Sequence, residues 1–159
     1  MEKAAYENRT DLEKIQAQWH KLTGLHDRFE WSSAIVRAAT AAELAANYAI
    51  REEFSTRSKF DAAFVDSLLL WANGLAGKMD KLLIPLSAGK KRSKKLKALR
   101  AVSTEINRMR NSIAHQGSFA NEGEAKAAVE RTRTFIETLV ALYTEGFVLK
   151  DHKRASHKG

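Results

Sequence analysis

Arg110, Asn111 and His115 are the residues whose types and spacing could do chemistry. They lie in the string Arg110-Asn111-Ser112-Ile113-Ala114-His115. A guanidinium carries a fixed charge and a planar fork of donors that matches two phosphoryl oxygens. An imidazole exchanges a proton in the physiological range. Such a pair can cut RNA without a metal, because RNA brings its own nucleophile, the 2′-hydroxyl. The imidazole takes that proton or gives one to the leaving 5′-oxygen, and the guanidinium holds the charge that builds on the phosphate. The products would be a 2′,3′-cyclic phosphate and a 5′-hydroxyl.

The string falls at the end of an amphipathic segment, just before Gly117. At about 100° per residue, Asn111 and His115 share a helix face, whereas Arg110 and His115 are about 140° apart. One straight helix therefore does not aim both at one phosphate. Either the last turn frays, or a second copy of the helix completes the site across a two-fold axis. The pair also has a plainer reading, since cations near a helix C-terminus are favoured by its dipole.

Five helices are expected to position these residues, from apolar side chains recurring at steps of three and four. The first runs from about Asp11 to Phe29, capped by Asp11 or Thr10. The second, about Ser32 to Phe54, contains AATAAELAANYAI, whose small side chains suit the centre of a bundle. The third, about Lys59 to Leu83, carries a stripe from Phe60 through Trp71 to Leu82 and is ended or kinked by Pro85. The fourth, about Lys94 to His115, buries Leu96, Leu99, Val102, Ile106, Met109 and Ile113. Asn121 and Glu124 read as a capping box for the last, which extends to about Leu149. The expected fold is all-α, an up-and-down bundle of four long helices plus the N-terminal one. Residues 1–149 form one domain with its core over 30–149, and 150–159 form a basic, disordered tail.

Composition supports this organisation. The chain has 159 residues, 44% of them hydrophobic, with 8 glycines and a single proline, which favours long helices over a many-turned sheet. Cysteine is absent, which excludes disulfides and thiolate-held metals. The polar N-terminus is unlike a signal peptide, and no apolar run is long enough to span a bilayer, so a cytoplasmic protein is expected. An excess of 27 Lys+Arg over 19 Asp+Glu gives +8, which suits an anionic partner such as RNA. Lys90, Lys91, Arg92, Lys94, Lys95, Lys97 and Arg100 form one dense basic block, and Lys150, Lys153, Arg154 and Lys158 a second.

The string RNSIAH, near the end of the penultimate long helix of an all-α chain, resembles the Arg-Asn-x-x-x-His signature of the HEPN superfamily. Glu43, inside the alanine-rich second helix, falls where many members carry an acidic residue. The resemblance covers about residues 30–149. It implies a metal-independent endoribonuclease acting as a homodimer, with the site at the interface. Several members are toxins or antiviral effectors held by an antitoxin or regulatory protein. Others have lost catalysis and bind RNA, nucleotide or a partner protein. Carried onto this chain, Arg110 and His115 are the catalytic residues, Asn111 supports them, and Glu43 pairs with Arg110 to fix its direction. Some family toxins carry a regulatory tyrosine two residues after the histidine. Here that position is Gly117, so regulation by that route is not expected.

The remaining features read more simply. Lys90, Lys91, Arg92, Lys94, Lys95 and Arg108 are candidates for RNA-backbone contact, with a solvated loop as the alternative. His20, His26, His152 and His157 lack ligand-like spacing with carboxylates, so neither a metal nor another cofactor is expected. Trp19, Trp31 and Trp71 fit apolar helix faces and read as core. Gly74 and Gly77 read as positions of close packing. A helical adaptor whose basic patch meets an acidic partner is the third functional alternative.

Overall fold

The computed structural model describes residues 10–57, 62–71, 74–116 and 119–153. Six helices and no strand occur among them: α1 (Asp11–Asp27), α2 (Trp31–Arg57), α3 (Ala62–Trp71), α4 (residues 75–86), α5 (Ser93–Gln116) and α6 (Glu122–Ala141). The chain is thus all-helical, as its spacing predicts, but the third long helix is divided.

Both capped N-termini are local consequences of sequence. The Thr10 side chain accepts from the Glu13 amide while the Glu13 carboxylate accepts from the Thr10 amide, and Asn121 and Glu124 repeat that box before α6. The alanine-rich α2 is the central element, packed by α1, α4, α5 and α6. Ala38, Ala41, Ala42, Ala45, Ala46 and Ala49 are all sealed from solvent, which lets neighbouring backbones come close. Around them Ile15, Trp19, Leu22, Leu83, Leu96, Phe135, Ile136 and Leu139 are fully buried. Each such large side chain contributes roughly 1.5–3 kcal/mol. No helix of the described residues is long and apolar enough to cross a membrane.

The stripe expected to run unbroken to Leu82 is interrupted. Gly74 takes φ +87°, a left-handed conformation open to glycine, and α3 stops before it. Among the described residues, no atom beyond their own chain neighbours and helix backbone lies within 4 Å of where a Cβ would stand at Gly74 or Gly77, so no close packing is seen at either. In α4, Lys78–Leu83 is π-helical, and the Ile84 amide reaches the Met79 carbonyl. Pro85 does not end the helix before it; it sits in the last turn, directly after that wider turn. The start expected at Lys59 lies outside the described residues. Trp71, expected in the core, is 86% exposed, whereas Trp19 is buried and Trp31 half-buried.

The last helix is shorter than its apolar spacing suggests. It ends at Ala141, and a turn with Gly146 at φ +80° redirects the chain into an extended strap. Residues 150–153, expected to begin a disordered tail, are tied to α1. Gln16 exchanges two hydrogen bonds with the Lys150 backbone, at 2.7 and 2.9 Å. The Trp19 indole donates to Asp151, which also takes Arg133 on both carboxylate oxygens at 2.8 Å. The His152 amide donates to Thr23 Oγ1. Residues 154–159 lie outside the described set.

Candidate functional site

α5 lies antiparallel to α2, so its N-terminal residues meet the end of α2 and its C-terminal residues meet the start. Arg92 is bonded to Glu53, while Ile113 lines a hollow with Val36 and Thr40. The helix is held at its far end by a small apolar cluster in which Met109 and Ile113 pack with Trp31 against Ile35, Ala125 and Ala128. Ile113 thus anchors the middle of the string, and the polar residues on either side project from a fixed support.

The helix stays regular through Gln116, so His115 remains within it. Arg110 and His115 therefore diverge by about 140°, as the helical repeat dictates, and fraying of the last turn does not bring them together. Both side chains are exposed. The Arg110 guanidinium donates to Asn111 Oδ1 at 3.3 Å, so Asn111 faces Arg110 rather than His115. The hollow beside Ile113 has a volume of about 450 Å³ and is also lined by Ser32, Thr40 and Arg37. Arg37, absent from the expected site, is the guanidinium that lines this hollow, which Arg110 does not reach, and it donates to Gln18 at 2.8 Å. Phe119, 94% exposed, follows the string closely in sequence. Gly117, expected to stop the helix, lies outside the described residues.

Glu43 does not pair with Arg110. Its Oε1 lies 2.8 Å from Nζ of Lys78, a buried lysine in the π-helical turn. The reason is positional: α4 returns along α2 at the level of Glu43, and a buried ammonium needs a carboxylate close by.

The basic block is split in two by the fold. Lys90 and Arg92 turn inward to Glu53, which is wholly buried and also accepts from the Tyr143 hydroxyl at 2.8 Å. Arg92 also lies over the Tyr143 ring. Burial alone would push the Glu53 carboxyl up, but hydrogen bonds from Arg92, Lys90 and Tyr143 outweigh it and hold the group at about 2. Burial and the same carboxylate drive Tyr143 upward, so its hydroxyl stays a donor. Beside this cluster Tyr48 and Thr144 share a short hydrogen bond. Lys90 and Arg92 are therefore a clasp for the 87–92 loop. Arg100 is paired with Asp80 at 2.6 Å, and Arg108 with Glu105. Lys91, Lys94, Lys95 and Lys97 remain exposed.

Sequence reasoning passed over Glu53, although a signal was available. Ala42, Ala46, Ala49 and Glu53 recur at four, three and four, which places this glutamate on the buried stripe of α2. The histidines lack ligand-like spacing in the sequence, and two of them meet in the fold. His20 and His152 meet with ring centres 5.0 Å apart, and His152 Nδ1 lies 3.5 Å from Asp27. Among the described residues no group of three or more His, Asp or Glu side chains could hold a metal ion.

No family model matches the chain, and no curated protein and no solved structure matches it either.

Proposed function

We propose that this chain is a HEPN-like, metal-independent endoribonuclease in which Arg110 and His115 act on one scissile phosphate. One observation carries the reading. Of the three arginines on α5, Arg100 and Arg108 are committed to carboxylates, whereas Arg110 has no carboxylate partner among the described residues. An exposed guanidinium left without an internal anion is available to an external one.

The divergence of Arg110 from His115 makes the site composite. In a two-fold pair, Arg110 of one copy and His115 of the other face a shared cleft. His115 serves as the proton acceptor or donor, and Arg110 holds the phosphoryl oxygens. Asn111 accepts a hydrogen bond from the guanidinium and helps to orient it. Glu43, bonded to Lys78, has no part in this arrangement. The exposed ring of Phe119 offers a face on which a base can stack. Lys91, Lys94 and Lys95 supply backbone attraction in place of Lys90 and Arg92.

The alternative is a module of the same fold that binds RNA without turnover. The test is incubation of labelled RNA with purified protein in EDTA, comparing wild type, Arg110→Ala and His115→Ala. Cleavage by wild type and its loss in both variants, by at least about 100-fold, is expected. Cleavage that survives His115→Ala would end the catalytic claim, and retention of RNA without any product would select the binding module.

A further inference from the structure

A second cluster of basic side chains lies away from α5. His20, Lys21, Gly24, Leu25 and Arg28 fall on one face of α1 and its C-cap, at steps of one, three, one and three. Arg37 of α2 and His152 of the strap come up to that face, and together these residues line a hollow of about 460 Å³. Five of the seven are basic, and no carboxylate lines the hollow among the described residues.

These groups are not committed to internal anions. Neither Lys21 nor Arg37 has a carboxylate partner among the described residues. Arg37 gives one donor to Gln18 at 2.8 Å and keeps the rest of its fork. Arg28 reaches Glu30 at 3.2 Å, but both side chains stand largely in solvent, where such a pair is weak. The His20 and His152 rings meet edge to face with centres 5.0 Å apart. Asp27 stands 3.5 Å from His152 Nδ1 without lining the hollow, and so helps to orient that ring. Gly24 leaves the floor bare. A Cβ there would lie 3.6 Å from the His152 ring and 3.7 Å from the Arg28 guanidinium, so both groups border the same stretch of backbone.

Shape and donor number select the ligand. The basic groups converge on one hollow from three elements rather than line a long track. A carboxylate has only two oxygens for this many donors. A phosphate diester inside a chain has a single charge and two free oxygens. A phosphate monoester carries about −1.5 to −2 at neutral pH and has three strong acceptor oxygens. It can therefore engage an ammonium, a guanidinium and an imidazole at once. Room also exists for whatever the phosphate is attached to. The hollow shares Leu25 and Arg37 with the one that ends at Ile113, and His20, Lys21 and His152 with a larger one beside Phe147.

We infer that this hollow binds a phosphate monoester, held by Lys21, Arg28 and Arg37 with the imidazoles of His20 and His152. This goes beyond the nuclease reading, uses none of Arg110, Asn111 or His115, and holds whether or not the chain cuts RNA. The end of an RNA and a small free phosphate offer the same group, and the test separates them. The full chain is titrated calorimetrically with inorganic phosphate, with acetate at equal ionic strength as control. Fluorescence anisotropy then compares two uncleavable 2′-O-methyl RNA oligomers of one sequence, one with a 5′-phosphate and one with a 5′-hydroxyl. Phosphate is expected to bind where acetate does not, and the phosphorylated oligomer at least about 10-fold more tightly than the other. That preference assigns the site to an RNA end; phosphate binding without it assigns the site to a small free phosphate. Lys21→Gln/Arg37→Gln is expected to abolish both signals with unchanged helicity by circular dichroism. Lys91→Gln/Lys94→Gln, which removes the same charge elsewhere, should weaken both oligomers alike and keep the preference. Absence of both signals in wild type would overturn the inference, as would either signal undiminished in Lys21→Gln/Arg37→Gln. Should that variant lose helicity, Lys21→Gln alone decides, and undiminished binding in it counts against the site. Cleavage of RNA without phosphate binding would remove this site alone, and phosphate binding without cleavage would remove the nuclease alone.

Discussion

Glu43 and Lys78 are joined at 2.8 Å, but the two ends of that bond see different surroundings. The Lys78 side chain is 5% exposed and the Glu43 side chain 37%. The carboxylate can return to water at little cost; the ammonium cannot.

Removing the carboxylate is therefore expected to cost more than a surface ion pair is worth. Glu43→Ala should lower stability by about 1–3 kcal/mol, because it strands a buried charge. The double variant Glu43→Ala/Lys78→Met should recover most of that loss. Urea denaturation of the wild type, Glu43→Ala, Lys78→Met and the double variant closes this cycle. Equal instability of the single and double variants would show that Lys78 does not depend on Glu43. RNA cleavage is expected to persist in Glu43→Gln, which separates this pair from the proposed site.

Glu53 sets the acid limit of the fold. Its carboxyl lies at about 2 in the folded chain against an ordinary 4.5. The folded carboxyl therefore binds its proton less tightly than the unfolded one. Its contribution is complete above about pH 4.5 and is lost as the pH falls toward 2. A shift of that size corresponds to stabilisation on the order of 3 kcal/mol at neutral pH. Glu53→Gln is expected to lose most of it at pH 7 and to show a flatter decline below pH 4.5. Parallel acid-unfolding curves for the two proteins would refute this account.

The strap at residues 147–153 is expected to be structural rather than incidental. Asp151→Ala leaves the buried Trp19 indole and Arg133 without their acceptor, at about 1–3 kcal/mol. Removal of everything after Leu149 should lower the melting temperature by roughly 5–10 °C. Lys150→Ala is expected to be close to neutral, because Gln16 grips the backbone there and not the side chain. Thermal melts of the three proteins test the set, and a neutral Asp151→Ala would mean that the strap adds nothing.

Local signals made much of the fold legible. Thr10, one of the two expected caps, Asn121 with Glu124, and the alanine run of α2 are short-range patterns, and each appears where its residues predict; the Glu13 half of the first box went unread. The break in the third helix was hidden, because Phe60 to Leu82 keep the helical step through Gly74, and spacing does not register a backbone dihedral. The end of α6 was missed for the same reason, since Tyr143 and Phe147 stay in step although the helix stops at Ala141. Partners distant in sequence were beyond reach. Glu53 meets residues 37, 39 and 90 positions away, and Glu43 meets Lys78 across 35. At the candidate site, the 140° divergence of Arg110 from His115 follows from counting residues alone. That the helix would hold its pitch to Gln116, and so keep them apart, required the packing of Ile113 and Met109.

The grip of Gln16 on Lys150 also places the two halves of one contact 134 residues apart in the order of synthesis. At about 5–20 residues per second, α1 emerges from the ribosome roughly 7–27 s before the strap that completes its outer face. During that interval Trp19 has neither Asp151 to receive its indole proton nor Arg133 to cover its ring. The newborn chain therefore carries an unfinished seam, which closes when the later-made strap returns to the earlier-made α1.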